Sequence, residues 1–243
     1  MKIASESDIG LCRSENQDMA VCEILDDSAF VVVCDGMGGE NSGKDASSIA
    51  AEVVKNKFLA GFDRSFASKS IKNLLVSAVS VANSVVFNTS NAEPEKSGMG
   101  STCVAAYIDA DSDTAYIVNV GDSRAYLCRR DSIEQITKDH SYVQLLVEQG
   151  QITEEELADH PRKNMLIRAV GVEKDIEVDF FEIKLDGSRL LLCTDGLHGC
   201  CSDNEILAAV NDSEVEEAAR KLVDMALEKG GPDNITLAVV ENS

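Results

Sequence analysis

The stretch STCVAAYIDADSDTAYIVNVGDSRAYLCRR at 101–130 decides the fold. Apolar, β-branched runs at 101–109, 114–120 and 123–130 are separated by small or acidic turn residues, and each is too short for an ordinary helix. With a further run at 132–137, the spacing suits an antiparallel meander. Upstream the period changes: Ala46, Ile49, Ala50, Val53, Val54 and Phe58 recur every three or four positions, and so do Ile71, Leu74, Leu75, Ala78, Val79, Ala82, Val85 and Val86. Two helices are predicted there. A first segment, 2–35, reads as strands, notably Met19 to Ile24 and Phe30 to Cys34, parted by Asp26-Asp27-Ser28. Beyond the meander, 139–170 is predicted to leave the core, with short helical patterns at Tyr142 to Gln149 and Thr153 to Ala158 and the polar HPRKN at 160–164. Strands return at 175–184 and 188–194. A helix over 213–228 buries Val215, Ala218, Ala219, Leu222 and Val223, and NITLAVVE (234–241) is a last strand. Blocks of strands separated by blocks of helices indicate an α+β fold. About ten strands strain a single open sheet, so the expectation is a four-layer α-β-β-α sandwich, two antiparallel sheets flanked by helices.

With 243 residues, 44% of them hydrophobic, the chain can fill a core, and it shows no repeat, no low-complexity tract and only three prolines. A single domain over 1–243 is expected. Forty-three acids against 22 bases leave a net charge of −21, which repels nucleic acid and anionic membrane surfaces and concentrates divalent cations near clustered carboxylates. A solvated acidic surface that only maintains solubility fits the same number. No uninterrupted apolar run of about eighteen residues occurs, and MKIASESDIG lacks a secretory pattern, so a cytoplasmic monomer is expected, with no membrane and no nucleic acid as partner. Most of the eight cysteines stand in or beside apolar runs, as small buried hydrophobes do, and adjacent Cys200-Cys201 has neither zinc nor redox-pair spacing.

Two apolar runs end alike: VVVCDGMGG (31–39) and LLLCTDGLHG (190–199) both reach Asp-Gly. One such pair is ordinarily a tight turn. Here Asp35 and Asp195 are joined by Asp233, just before the last strand, and by Asp122, placed by the meander reading in a hairpin. Four carboxylates at strand ends that converged would repel one another, and a hard divalent cation with oxygen ligands relieves that repulsion. Gly36, with no side chain, lets its carbonyl approach an ion. Rival motifs fail. Residues 38–45 nearly form a phosphate-binding loop, but Asp45 stands where Ser or Thr is needed, and the acidic run from Asp109 lacks the glycine and glutamate of a calcium loop.

The segments SDIGLCRSENQD (7–18), VVVCDGMGG (31–39), GMGSTCVAA (98–106), VNVGDSRAYL (118–127), 137–171, LLLCTDGLHGCCSDNEI (190–206) and GGPDNITLAVV (230–240) resemble, in order, the motifs of the metal-dependent Ser/Thr protein phosphatases, the PPM or type 2C family, in its compact bacterial form. The resemblance implies two Mn²⁺ or Mg²⁺ ions: Asp35 bridging them, the Gly36 carbonyl on one, Asp195 and Asp233 completing the other. It also implies a third, weaker ion shared by Asp122 and Asp195. Arg13 corresponds to the arginine that grips the substrate phosphate and Asp18 to an acid that orients water, while 139–170 corresponds to a flap beside the site. Gln17 replaces a glutamate of many members, so it is not counted as a ligand, and Met37 replaces a histidine that could protonate the leaving group. His140 and His160 lie beside the site, with a capping or surface role as the default. The implied activity is hydrolysis of phosphoserine and phosphothreonine esters on proteins phosphorylated by a Ser/Thr kinase. A non-catalytic phosphoprotein- or kinase-binding member and a phosphatase for small esters stand as alternatives.

Overall fold

The computed structural model describes residues 1–39, 42–157 and 159–242. In chain order it has β1 (Lys2–Asp8), β2 (Asp18–Leu25), β3 (Ser28–Met37), α1 (Ser42–Gly61), α2 (Ser68–Ala92), β4 (Gly100–Ser101), β5 (Cys103–Asp109), β6 (Thr114–Val120), β7 (Arg124–Cys128), β8 (Ile133–Gln135), α3 (Tyr142–Glu148), α4 (Glu154–Leu157), β9 (Asp179–Lys184), β10 (Arg189–Cys193), α5 (Asp195–His198), α6 (Asp203–Asn211), α7 (Val215–Glu228) and β11 (Ile235–Glu241). One sheet runs β1-β11-β10-β7-β8 and the other β2-β3-β5-β6-β9, with β4 beside β3. Every pairing is antiparallel, and the helices cover the outer faces, as the α+β sandwich reading expects.

The layers follow from strand alternation. In β3, Ala29, Val31 and Val33 face the other sheet, where Leu190, Leu192, Ala238 and Val240 meet them. The intervening Phe30, Val32 and Cys34 point to α1 and α2, into a layer with Val54, Phe58, Leu75 and Val79. Both faces are buried, so the strand reads as an unbroken apolar run. Phe30 stacks on Phe58 with ring centroids 4.2 Å apart. A third layer lies outside β10 and β11, where Leu191, Leu237 and Val239 meet Ile206, Val210, Ala219 and Leu222 of α6 and α7. Among the described helices α2 alone has the length and hydropathy of a membrane-crossing segment, but Ile71, Leu75, Ala78, Val79, Ala82 and Val86 are buried in the first of these helix layers.

The structure corrects several expectations. Residues 101–137 are not one meander: β5 and β6 pair in one sheet, β7 and β8 in the other, and the chain crosses between sheets at 121–123. Asp122 therefore sits in a crossover, not a hairpin. Gly121 makes the crossing at φ +103°, a backbone region open to glycine. The predicted strand 101–109 is interrupted at Thr102, β9 begins at Asp179 rather than 175, and the helix at 215–228 is preceded by α6, which was not anticipated. The signal for α6 was present in S-x-x-E: the Glu205 carboxylate accepts from the Ser202 backbone N–H at 2.8 Å, a capping box. The excursion is closed at its base by bridges Ser141↔Leu166 and Ser101↔Val170. Its second helical pattern was expected to reach Ala158, which lies outside the described residues, as do Glu40 and Asn41 of the 38–45 run.

Candidate active site

Both sheets deliver acids to one end of the sandwich. Asp35 is near the C-terminal end of β3, directly opposite Asp18 at the start of β2. Asp195 follows β10 as the first residue of α5, Asp233 precedes β11, and Asp122 follows β6. Polar residues at the ends of apolar runs fix these positions. The Thr102 backbone N–H donates to the Asp35 carbonyl at 2.8 Å, its hydroxyl accepts from the Asp35 N–H at 2.8 Å, and Ser123 lies 2.7 Å from the same hydroxyl. Thr194 donates from Oγ1 to Asp18 Oδ2 at 2.8 Å.

A cleft of about 1290 Å³ is lined by Asp35, Gly36, Asp122, Asp195, Asp233 and Arg13, so six of the seven sequence-predicted site residues share one wall. Asp18 stands immediately behind it, buried. Gly36 is required sterically: a Cβ there would overlap the Gly43 carbonyl at the start of α1 and lie 2.6 Å from the Gln17 carbonyl. Arg13 does not stand open to a phosphate in this state, since its Nη2 donates to Asp233 Oδ2 at 2.6 Å. The loop carrying Arg13 is stapled by Asn234, a residue that sequence reasoning passed over. Its amide donates to the carbonyls of Ile9 (2.9 Å) and Glu15 (3.0 Å), and its Oδ1 accepts from Gln17 N–H at 2.8 Å. Thr194 was equally missed, although a hydroxyl at the end of LLLC was a visible signal. His160 makes a local turn, accepting at Nδ1 from Arg162 N–H, whereas His140 is buried and holds the Gly121 backbone rather than capping or facing solvent.

Burial, reinforced by crowding, governs the electrostatics. Burial, then the charges of Asp18 and Asp195, pushes the Asp35 carboxyl well above the usual range. Burial raises Asp18 to about 7, against the Thr194 hydrogen bond that favours its anion. Asp122 is likewise raised to about 7 by burial and then Asp195, and Asp195 to about 6 by burial and then Asp233, with Arg13 opposing. Among the described residues no three of these side chains close into a ready cage for an ion. Yet the donors fit one chemistry. They are all oxygens, and Asp18 Oδ1 and Asp195 Oδ1 are buried with no hydrogen-bond partner. Orphaned carboxylate oxygens, one in the cleft and one behind it, suit a hard divalent ion such as Mn²⁺ or Mg²⁺ and do not suit a soft-ligand metal.

Comparison with known proteins agrees with this arrangement. A family model described as protein phosphatase 2C matches residues 5–155. The chain is 37% identical over 238 residues to the serine/threonine phosphatase stp of Listeria monocytogenes serotype 4b, covering 97% of this chain and 93% of that one. It is 36% identical over 242 residues to the serine/threonine protein phosphatase PstP of Mycobacterium tuberculosis, of which it spans 45% of the length and which covers 99% of this chain. The crystal structure of Stp1 from Staphylococcus aureus superposes with a TM-score of 0.92 at 33% identity, covering 99% of this chain and 94% of that chain. The catalytic domain of PstP in complex with two manganese ions superposes at 0.82 with 36% identity, covering 99% and 97%. The fold, the acid-lined cleft and these matches agree: the chain belongs to the protein phosphatase 2C family.

Proposed function

We propose that residues 1–243 form one metal-dependent protein Ser/Thr phosphatase unit that hydrolyses phosphoserine and phosphothreonine esters. The observation that carries this reading is the convergence of Asp35, Asp122, Asp195, Asp233 and Arg13 on one cleft. Asp35 and the Gly36 carbonyl, with Asp195 and Asp233, would hold a pair of Mn²⁺ or Mg²⁺ ions, and Asp122 with Asp195 a third. Bound divalent ions supply Lewis acidity and a nucleophile from water at neutral pH.

The chain's own groups do the rest. Arg13, released from Asp233 by a phosphate dianion, makes the bidentate contact that a planar guanidinium favours, and so orients the ester in a strongly acidic protein. Asp18 stands behind the cleft with Oδ2 held by the Thr194 hydroxyl, a hydrogen bond that favours its anion, while burial lifts it to about 7, so it can take up a proton near neutral pH. Met37 offers no proton to the leaving alkoxide, which therefore takes one from solvent in the cleft. The substrates are proteins phosphorylated by a Ser/Thr kinase in the cytoplasm, and the chain acts as a monomer.

Release of phosphate from a phosphothreonine peptide and of p-nitrophenol from its phosphate tests the reading. Both should proceed with Mn²⁺, stop in EDTA and be lost in Asp195→Asn. Turnover of the small ester alone would reject the protein substrate, and no turnover of either would make this a binding module.

A further inference from the structure

The Gly121-Asp122 turn crosses between sheets, so neither ladder pairs it, and Gly121 at φ +103° gives it a soft joint. Two imidazoles hold its backbone instead. From the base of the 139–170 excursion, His140 Nδ1 accepts from the Gly121 N–H at 3.0 Å, and the His140 amide donates to the Gly121 carbonyl at 2.9 Å. From α5, His198 Nε2 lies 3.0 Å from the Asp122 carbonyl.

These partners dictate the tautomers. A carbonyl only accepts, so His198 carries its hydrogen on Nε2. An amide N–H only donates, so His140 Nδ1 is bare and its Nε2–H faces Asp179 Oδ2 at 3.3 Å. Arg168 Nη1, 3.0 Å from that same nitrogen, can only donate, and it does so to Asp179 Oδ1 at 2.8 Å. His198 is three residues after Asp195 in the same short helix, so one turn of α5 both carries the Asp195 carboxylate and grips the Asp122 carbonyl. Without that grip two like charges at a glycine joint would swing apart.

We propose that His140 and His198 are positioning residues that clamp the Gly121-Asp122 backbone, hold the Asp122 carboxylate toward that of Asp195, and so set the affinity of the ion those two acids share. The inference rests on the divalent-ion reading above.

The isosteres supply the test. Gln at 198 places an amide N–H where imidazole Nε2–H stood, whereas Asn there is one methylene too short and Phe has no donor. Asn at 140 places an oxygen where Nδ1 accepted, and Leu removes the acceptor. Mn²⁺ titrations of the full chain by calorimetry, with free Mn²⁺ counted by electron paramagnetic resonance, would compare these variants with wild type and Asp122→Asn. The tight steps should be unchanged in all. The weakest step, abolished in Asp122→Asn, should weaken about 10-fold or more in His198→Phe, His198→Asn and His140→Leu, and recover in His198→Gln and His140→Asn. Should His198→Phe not fold, His198→Asn makes the same comparison. Wild-type isotherms in the disabling variants, equal weakening of every step, or no recovery in the isosteres would overturn the clamp. So would a wild-type isotherm with no step that Asp122→Asn removes. Phosphopeptide turnover by the wild-type enzyme decides the phosphatase reading independently of all these outcomes.

Discussion

In EDTA at pH 8 the Asp195 carboxyl must ionise in a cleft that already holds Asp35 and Asp233, and Asp195→Asn removes that requirement. The folded protein raises this group from 3.8 to about 6. At about 1.4 kcal/mol for each tenfold change in proton affinity, the charged form costs the fold roughly 3 kcal/mol. A raised acid is neutral in both states at low pH, so its contribution to stability is intact below about pH 4. It is lost as pH rises toward and through the folded value near 6, because the unfolded chain gives up its proton first. The value near 6 already includes the opposing attraction of Arg13 and the contact with Asp35, so the gain from Asn stays at roughly 3 kcal/mol. Urea denaturation of the metal-free protein, with a slope of roughly 2–3 kcal/mol per M for a chain of this size, should therefore show the variant's midpoint about 1–1.5 M above wild type at pH 8. The two should converge at pH 4, while the same variant loses Mn²⁺ binding and phosphate release. A midpoint at or below wild type at pH 8, or a gap that is the same at pH 4, would refute the claim that ionising the buried, acid-flanked Asp195 costs the empty cleft stability.

Other outcomes follow from single contacts. Gly36→Ala forces a methyl into the Gly43 carbonyl and should cost about 3 kcal/mol by chemical denaturation, with weaker Mn²⁺ binding. Phe58→Ala empties the stack on Phe30 far from the cleft and should cost about 3–5 kcal/mol in the same assay while leaving KM unchanged. Thr194→Val removes the donor that favours the Asp18 anion, so the acidic limb of the pH profile for kcat/KM should move to higher pH. Glu173 and Asp175 line the cleft rim, and their loop is tied to buried Asn83, whose amide donates to the carbonyls of Glu173 and Lys174. Phosphothreonine peptides with flanking arginines should accordingly be turned over faster than those with flanking glutamates, and Glu173→Gln with Asp175→Asn should narrow the difference.

The layered sandwich was legible because Val31 to Val33 and Leu190 to Leu192 are apolar at every position, which marks strands covered on both faces. That same property hid the crossover. Val118 to Val120 and Ala125 to Leu127 are buried throughout, so alternation could not reveal that one belongs to each sheet, and Asp122 was placed in the wrong kind of turn. The acids and Arg13 were readable from their motifs. The pairing of Arg13 with Asp233 was not, since it joins residues 220 positions apart. Asn234, His140 and His198 act through backbone groups of distant segments, and a backbone partner leaves no trace in side-chain chemistry.

The pairing of β1 with β11, from Lys2↔Glu241 to Asp8↔Ile235, orders events during synthesis. The sheet β2-β3-β5-β6-β9 has all its strands once residue 184 leaves the ribosome, whereas the other waits for residues 235–241 to slot between β1 and β10. Asp233 enters with that last strand and Asp35 has been in place since the first hairpin. A nascent or truncated chain that stops short of β11 can thus bury much of its core and still lack Asp233, so that the acid-lined cleft is complete only once β11 has emerged.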